Sequence, residues 1–360
     1  MRKSPPIDKQ KITLSITYIY ASWLVLQIFL TKFGLDALHT TRFLDTVAAV
    51  VHRPFVYRAL VPTLVRSLST MIPHGATDPL ENALYQPEIL PTHATPWGIQ
   101  YVWFALLAWG CFIGFAYCIR WLTRYFYPAY SPHILDFGVP LAALFALPLF
   151  FRHFNFVYDP ATILLFPLAL VCLLQERYLL YVLILALCAL NKETSVLLIP
   201  AFVVHARSRG MKTVPMIALA ALQLAICLGI YKYISISMAD RPGVPMEIQI
   251  FKYNLMLPIK QPYAFVWLLC VGSFFIYFAS RDWKTKPPFL RHSLVFMLIP
   301  HTAMLIVVGC LDEIRIFYEV YAVTVLLMTP TLVGFVRDVT GASDEPRTPT
   351  NTPVPADTPG

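Results

Sequence analysis

The sequence predicts an all-α, polytopic membrane protein, and three observations carry that prediction. Charged residues make up only 13% of the 360-residue chain, against about 25% in soluble domains. Hydrophobic residues reach 58% and mean hydropathy is +0.62. The apolar residues also recur in runs near the roughly 20 residues needed to cross about 30 Å of hydrocarbon.

The elements follow in order. The basic segment 1–11 precedes an apolar run from Ile12 to about Thr31. That run is too long for a signal-peptide core and no small-x-small cleavage site follows, so it predicts an uncleaved first span. Further spans are predicted at about 97–118, 136–151, 159–175, 178–191, 194–206, 213–235, 262–280, 292–310 and 315–336, about ten in all within a membrane domain 12–336. In the first outer loop, 32–96, the positions Phe55, Ala59, Leu60, Thr63, Leu64 and Ser67 recur at helical spacing behind Pro54. They predict an amphipathic interfacial helix over about 54–70. The proline-rich stretch 72–96 predicts an irregular outer loop, and the Pro/Thr-rich segment 337–360 a disordered cytoplasmic tail.

Orientation follows from the short basic loops. Arg207, Arg209 and Lys212 fall in one, and Arg281, Lys284 and Lys286 in another. Both are cytoplasmic if the N- and C-termini are, so the chain reads as N-in, C-in. The net charge of +8 then orients spans and meets anionic lipid headgroups, and implies no nucleic-acid partner. The seven cysteines lie in apolar stretches without a C-x-x-C pair. They read as small core residues, with no disulfide framework and no metal site.

Four polar runs interrupt this apolar chain: 43–58, 152–160, 191–195 and 312–319. In the predicted topology all four reach the same outer face. Ionisable groups near membrane depth are costly, so their gathering on one face predicts a site. The first run and its approach hold Asp36, Asp45, Arg53 and Arg58; a carboxylate beside arginines suits the gripping of a lipid-linked phosphate. Tyr158-Asp159-Pro160 reads as a helix start with Asp159 as N-cap, or as part of the site. Lys192 either snorkels or contacts substrate, and Thr194 or Ser195 can cap the next helix. Arg315 and Glu319, one helical turn apart beside Glu313, can pair, either as a lock between the last two spans or as part of a substrate contact.

At these residues the chain resembles GT-C-type integral-membrane glycosyltransferases of bacterial type. The resemblance rests on many spans, an acidic first outer loop with an interface helix, Tyr158-Asp159-Pro160 before a span, Asn191-Lys192-Glu193-Thr194 between spans, and Glu313-x-Arg315 near the C-terminus. It implies inverting transfer of a sugar from a polyprenyl-phosphate donor on the outer face of a bacterial inner membrane. Asp45 or Asp36 would be the catalytic base. Arg53, Arg58, Lys192 and Arg315 would meet phosphate charge, and Asp159, Glu313 and Glu319 would hold the sugar or orient the cations. The partners implied are the lipid-linked donor and membrane lipids; no oligomeric state is indicated. No cofactor is predicted: the first loop lacks adjacent carboxylates, and a divalent ion is left open. The rival readings are a polysaccharide polymerase or ligase, a non-enzymatic transporter or flippase, and a scaffold whose polar runs lock helices together.

Overall fold

A helix that is apolar on every side must be buried on every side or face lipid, and both outcomes occur here. A computed structural model describes residues 9–31, 35, 42–71, 98–151, 155–243, 253–311 and 313–340. Among these, regular structure is helical apart from one isolated bridge between Arg53 and Gly243. Helix α1 (Lys9–Thr31) is followed by the short α2 (Phe43–Val47) and α3 (Leu60–Ser69). Then come α4 (Gly98–Phe126) and α5 (Val139–Ala146), the latter extended by a π-turn at Ile134–Gly138 and a 3-10 turn at Leu147–Phe150. The longer helices that remain are α6 (Asp159–Leu174), α7 (Tyr178–Asn191), α8 (Leu198–Ser208), α9 (Thr213–Ser237), α10 (Pro262–Ser280), α11 (Pro288–Val308) and α12 (Tyr318–Thr340), with a single α-turn at Leu257–Lys260 before α10.

Helix α6 is the centre. It packs against α4, α7, α8 and α12, and nearly every residue along it is buried. Its near-continuous apolar sequence, with Pro160 in the first turn where no N–H is needed, suits that position. Helices α9 and α10 lie at the other extreme. Only Ala264 and Ala279 are buried on α10, and Leu222, Leu228, Leu269 and Ile276 are exposed. Apolar surface of this extent is an aggregation hazard in water and stable in hydrocarbon. Among the described residues six helices are long and apolar enough to cross a membrane: Lys9–Thr31, Gly98–Phe126, Thr213–Ser237, Pro262–Ser280, Pro288–Val308 and Ile314–Val339. Ile134–Phe150, Asp159–Leu174 and Tyr178–Asn191 are shorter apolar helices.

Several sequence expectations need correction. The interfacial helix begins at Leu60, not Pro54, because Arg58 leaves helical geometry (φ −87°, ψ 71°). The Ala59 N–H is then spent on a tertiary bond to the Leu190 carbonyl, 2.9 Å away. Residues Phe55–Tyr57 form a separate 3-10 turn. Helix α3 does bury one side, through Val61, Pro62 and Val65, and exposes Leu64 on the other. The final helix runs to Thr340, past the predicted start of the tail. Cys270 is exposed rather than a core residue, because α10 turns most of its surface outward. The predicted loop 72–96 and the tail beyond Thr340 lie outside the described residues.

Candidate functional site

The four polar runs meet at one end of the bundle, around the start of α6. The centre is an aromatic stack: Phe55 lies parallel to Phe156 at 5.7 Å, and Phe156 parallel to Tyr158 at 5.2 Å. Two guanidinium groups rest on it. Arg315 sits 3.9 Å from the Phe156 centroid, and Arg58 4.3 Å from that of Tyr158. Both distances are well inside the range of cation–π attraction.

Each arginine is also held by charge. Arg58 forks onto Glu193, Nη2 to Oε1 at 2.8 Å and Nε to Oε2 at 3.3 Å, while Nη1 donates to the Tyr158 hydroxyl. Glu193 sits in the link between α7 and α8. Burial alone would raise its carboxyl, but the charge and hydrogen bonds of Arg58 outweigh this and hold it down at about 2. Arg315 stands on the 3-10 turn before α12. Its Nη2 donates to Glu313 Oε2 at 3.0 Å, and its Nη1 lies 3.6 Å from Asp159 Oδ2. Its Nε, though buried, has no partner among the described residues.

A second ion pair lies beside these. Lys192 Nζ is 2.6 Å from Glu319 Oε1, and the Thr194 hydroxyl donates to the same oxygen at 2.6 Å. The pair is almost wholly buried, at 8% and 0% side-chain exposure. Glu319 Oε2 has no partner among the described residues. Nearby, His301 on α11 donates from Nε2 to the Ile316 carbonyl at 2.7 Å, which leaves Nδ1 as a buried, unpartnered acceptor. Asn191 Oδ1 and the Tyr318 hydroxyl are likewise buried without partners. An unsatisfied buried polar group costs about 1–3 kcal/mol, so these five, of sixteen such atoms among the described residues, give the site spare bonding capacity for a polar ligand or ordered water.

Of the predicted residues, the structure brings together Arg58, Asp159, Lys192, Glu313, Arg315 and Glu319. Their pairings differ from those expected. Arg315 and Glu319 do not pair, because a 3-10 turn ends between them and each reaches a different neighbour. Lys192 does not snorkel; Glu319 holds it inside. Thr194 bonds Glu319 rather than capping α8, and Asp159 is the first residue of α6, not its N-cap. Its Oδ2 reaches back to the Phe156 N–H at 3.0 Å and so fixes the aromatic stack.

Arg53 lies apart. Its N–H pairs with the Pro242 carbonyl at 2.9 Å, and its guanidinium lies flat where a side chain on Gly243 would stand. Asp45, on α2, is partly exposed and its carboxylate has no partner among the described residues. Its neighbour Thr46 lines a small cavity of about 30 Å³ with Phe55, Arg58, Thr63 and Arg66. Asp36, Arg152, His153 and Asp312 lie outside the described residues. Sequence reasoning did not commit to Glu193, Phe156, Tyr158 or His301. Glu193 stands next to Lys192, and His301 is an ionisable residue inside an apolar run, the signal that could have found it.

No three metal-ligating side chains among the described residues are placed to hold an ion. The chain matches no known family model, no curated protein and no solved structure.

Proposed function

We propose that this chain is a membrane glycosyltransferase that moves a sugar from a polyprenyl-phosphate donor to an acceptor hydroxyl at the end of the bundle where the four polar runs meet. The observation that carries this reading is the convergence itself: Arg58 and Arg315, from opposite ends of the sequence, flank one aromatic platform beside Asp159. Fixed guanidinium groups suit a phosphate whose charge grows as the glycosidic bond breaks, and the buried aromatic stack holds them in place. Asp45 would take the proton of the acceptor hydroxyl as that oxygen attacks the anomeric carbon. The polyprenyl phosphate would then depart with the bonding electrons and configuration would invert. Arg315, with an uncommitted Nε, is the stronger phosphate ligand. Arg58, each of whose guanidinium nitrogens already has a partner in Glu193 or Tyr158, is better read as a positioning residue.

In this reading the six long helices and four shorter helical segments make ten spans, with both termini cytoplasmic and the site on the extracytoplasmic face. The alternation of Arg207, Arg209 and Lys212 with the site-bearing link at 191–195 supports that orientation. A second reading, a scaffold whose ion pairs lock helices, is favoured by the carboxylate partner found at each cation of the cluster. One assay separates the two: sugar transfer from polyprenyl-phosphate-linked donors by the reconstituted full chain, normalised to folded protein. Transfer that Arg315→Gln removes without loss of fold supports the enzyme; absence of transfer with any donor hexose or pentose leaves the scaffold. Impermeant labelling of single cysteines at Thr70 and Lys284, in a background lacking the native cysteines, tests the orientation. Labelling of Lys284 rather than Thr70 from the outside would reverse it.

A further inference from the structure

The end of the bundle opposite the candidate site carries a groove. It holds about 420 Å³ between the segment Ile134–Ala146, α10 and α12, within the range of small-molecule sites. Its floor is low because Gly138, Ala142 and Ala146 recur every fourth residue and Ala143 lies between them. Its walls are carbon: Phe274 and Phe275 on one side, Val325, Met328, Leu332 and Val336 on the other. The hydroxyl of Thr329, also in the lining, is already spent on the Val325 carbonyl at 3.0 Å. One end is closed by Phe275, edge-on to Phe150 at 5.4 Å and to Tyr321 at 6.3 Å. At the other stands Arg337, exposed, with its guanidinium 5.7 Å from the Tyr130 ring centroid.

We infer that this groove binds one acyl chain of an anionic glycerophospholipid from the leaflet at the Arg337 end, with Arg337 meeting the headgroup phosphate. Three observations favour that occupant. The groove lies between helices whose surfaces belong in hydrocarbon, where an apolar recess fills with lipid rather than water. From Val325 to Arg337 it runs about 18 Å at helical rise, close to one leaflet of a core about 30 Å thick, so the length fits a chain from one side only. The open end is also rich in positive charge. Arg120 and Arg124 share the carboxylate of Asp136 there, and with Arg337 they make three cations to the two acids Asp136 and Asp338 among the described residues. Phosphate and net negative charge are favoured at such an end.

The inference rests on the membrane reading of the fold but not on the transferase reading. Native mass spectrometry of the full chain, taken from mixed micelles of phosphatidylglycerol and phosphatidylcholine, tests it. The unsubstituted protein should retain one phosphatidylglycerol. Ala142→Trp, which fills the floor, should cut retention at least tenfold while the melting temperature stays level or rises. Arg337→Gln should lower the preference for phosphatidylglycerol over phosphatidylcholine at least threefold. Retention unchanged in Ala142→Trp overturns the site, as does equal retention of the two lipids or displacement by equimolar polyprenyl phosphate. If Ala142→Trp fails to fold, Ala146→Leu at the closed end gives the same readout. Flotation with carbonate-washed vesicles, measured first, separates the two failures. A chain that does not float overturns the membrane reading, whereas one that floats yet holds no lipid overturns the groove alone.

Discussion

Two clusters of charge stand at opposite ends of the helical stretch Ile134–Phe150, roughly 25 Å apart at 1.5 Å per residue, and they are built differently. At the Ile134 end a single carboxylate, Asp136, takes Arg124 in a fork at 2.6 Å and Arg120 at 2.9 Å. The three residues are close in sequence, and the Asp136 carbonyl also accepts the Tyr18 hydroxyl. The other cluster draws Arg58, Asp159, Lys192, Glu193, Glu313, Arg315 and Glu319 from four distant stretches of chain. It adds an aromatic platform and leaves Arg315 Nε, Glu319 Oε2, His301 Nδ1 and the Tyr318 hydroxyl unpartnered. A local cluster with its carboxylate bonds filled needs no ligand to complete it. A long-range one with unused donors and acceptors has capacity for a ligand, and that difference locates the candidate site.

The largest expected effect would break the cluster rather than read it. Glu319→Ala leaves the Lys192 ammonium buried without its acid, which costs about 3–5 kcal/mol in comparable pairs. Membrane abundance and melting temperature should both fall sharply, and Lys192→Met with Glu319→Leu together should recover most of the loss. Next is Arg315→Gln, which should lower transfer per folded molecule about 10²–10³-fold, as for loss of one charge-stabilising donor, on top of the folded yield lost by leaving the buried Asp159 without its cation. Asp45→Asn should reduce turnover by about 10²–10⁴, as for loss of a general base, and leave donor binding intact in a filter assay with labelled donor. The smallest effect concerns pH. Arg58 holds Glu193 down at about 2, below the ordinary 4.5, so the pair's stabilisation is complete above about pH 4.5 and is lost only as pH falls through about 2. The stability difference between the unsubstituted protein and Arg58→Gln should therefore stay constant from pH 8 to 5 and shrink below pH 4.5. A difference that already shrinks between pH 7 and 6 would assign the coupling to another group.

Helix positions were largely legible because an apolar run of span length has few ways to fold; α7 and α10, for example, fall where their runs predict. The gathering of the polar runs at one end is legible from counting spans, and Arg58, Asp159 and Arg315 stand in it. The pairings were not legible. Helical spacing argued for Arg315 with Glu319, but that spacing holds only in an unbroken α-helix, and the turn Ile314–Phe317 is 3-10. Likewise the helix proposed from Pro54 depended on Arg58 staying helical, whereas the tertiary bond from Ala59 to Leu190 pulls the backbone out. Contacts between segments more than a hundred residues apart, such as Arg58 with Glu193, leave no trace in local periodicity.

The comparison of the two clusters reduces to one measurement: transfer activity per folded molecule for Arg315→Gln beside Asp136→Asn, each reconstituted and quantified by folded fraction. The account predicts that Asp136→Asn keeps near-normal activity per folded molecule, while Arg315→Gln, whatever folded yield it loses, has activity per folded molecule reduced at least a hundredfold. Equal activity per folded molecule in both variants would contradict it and make the two clusters the same kind of lock.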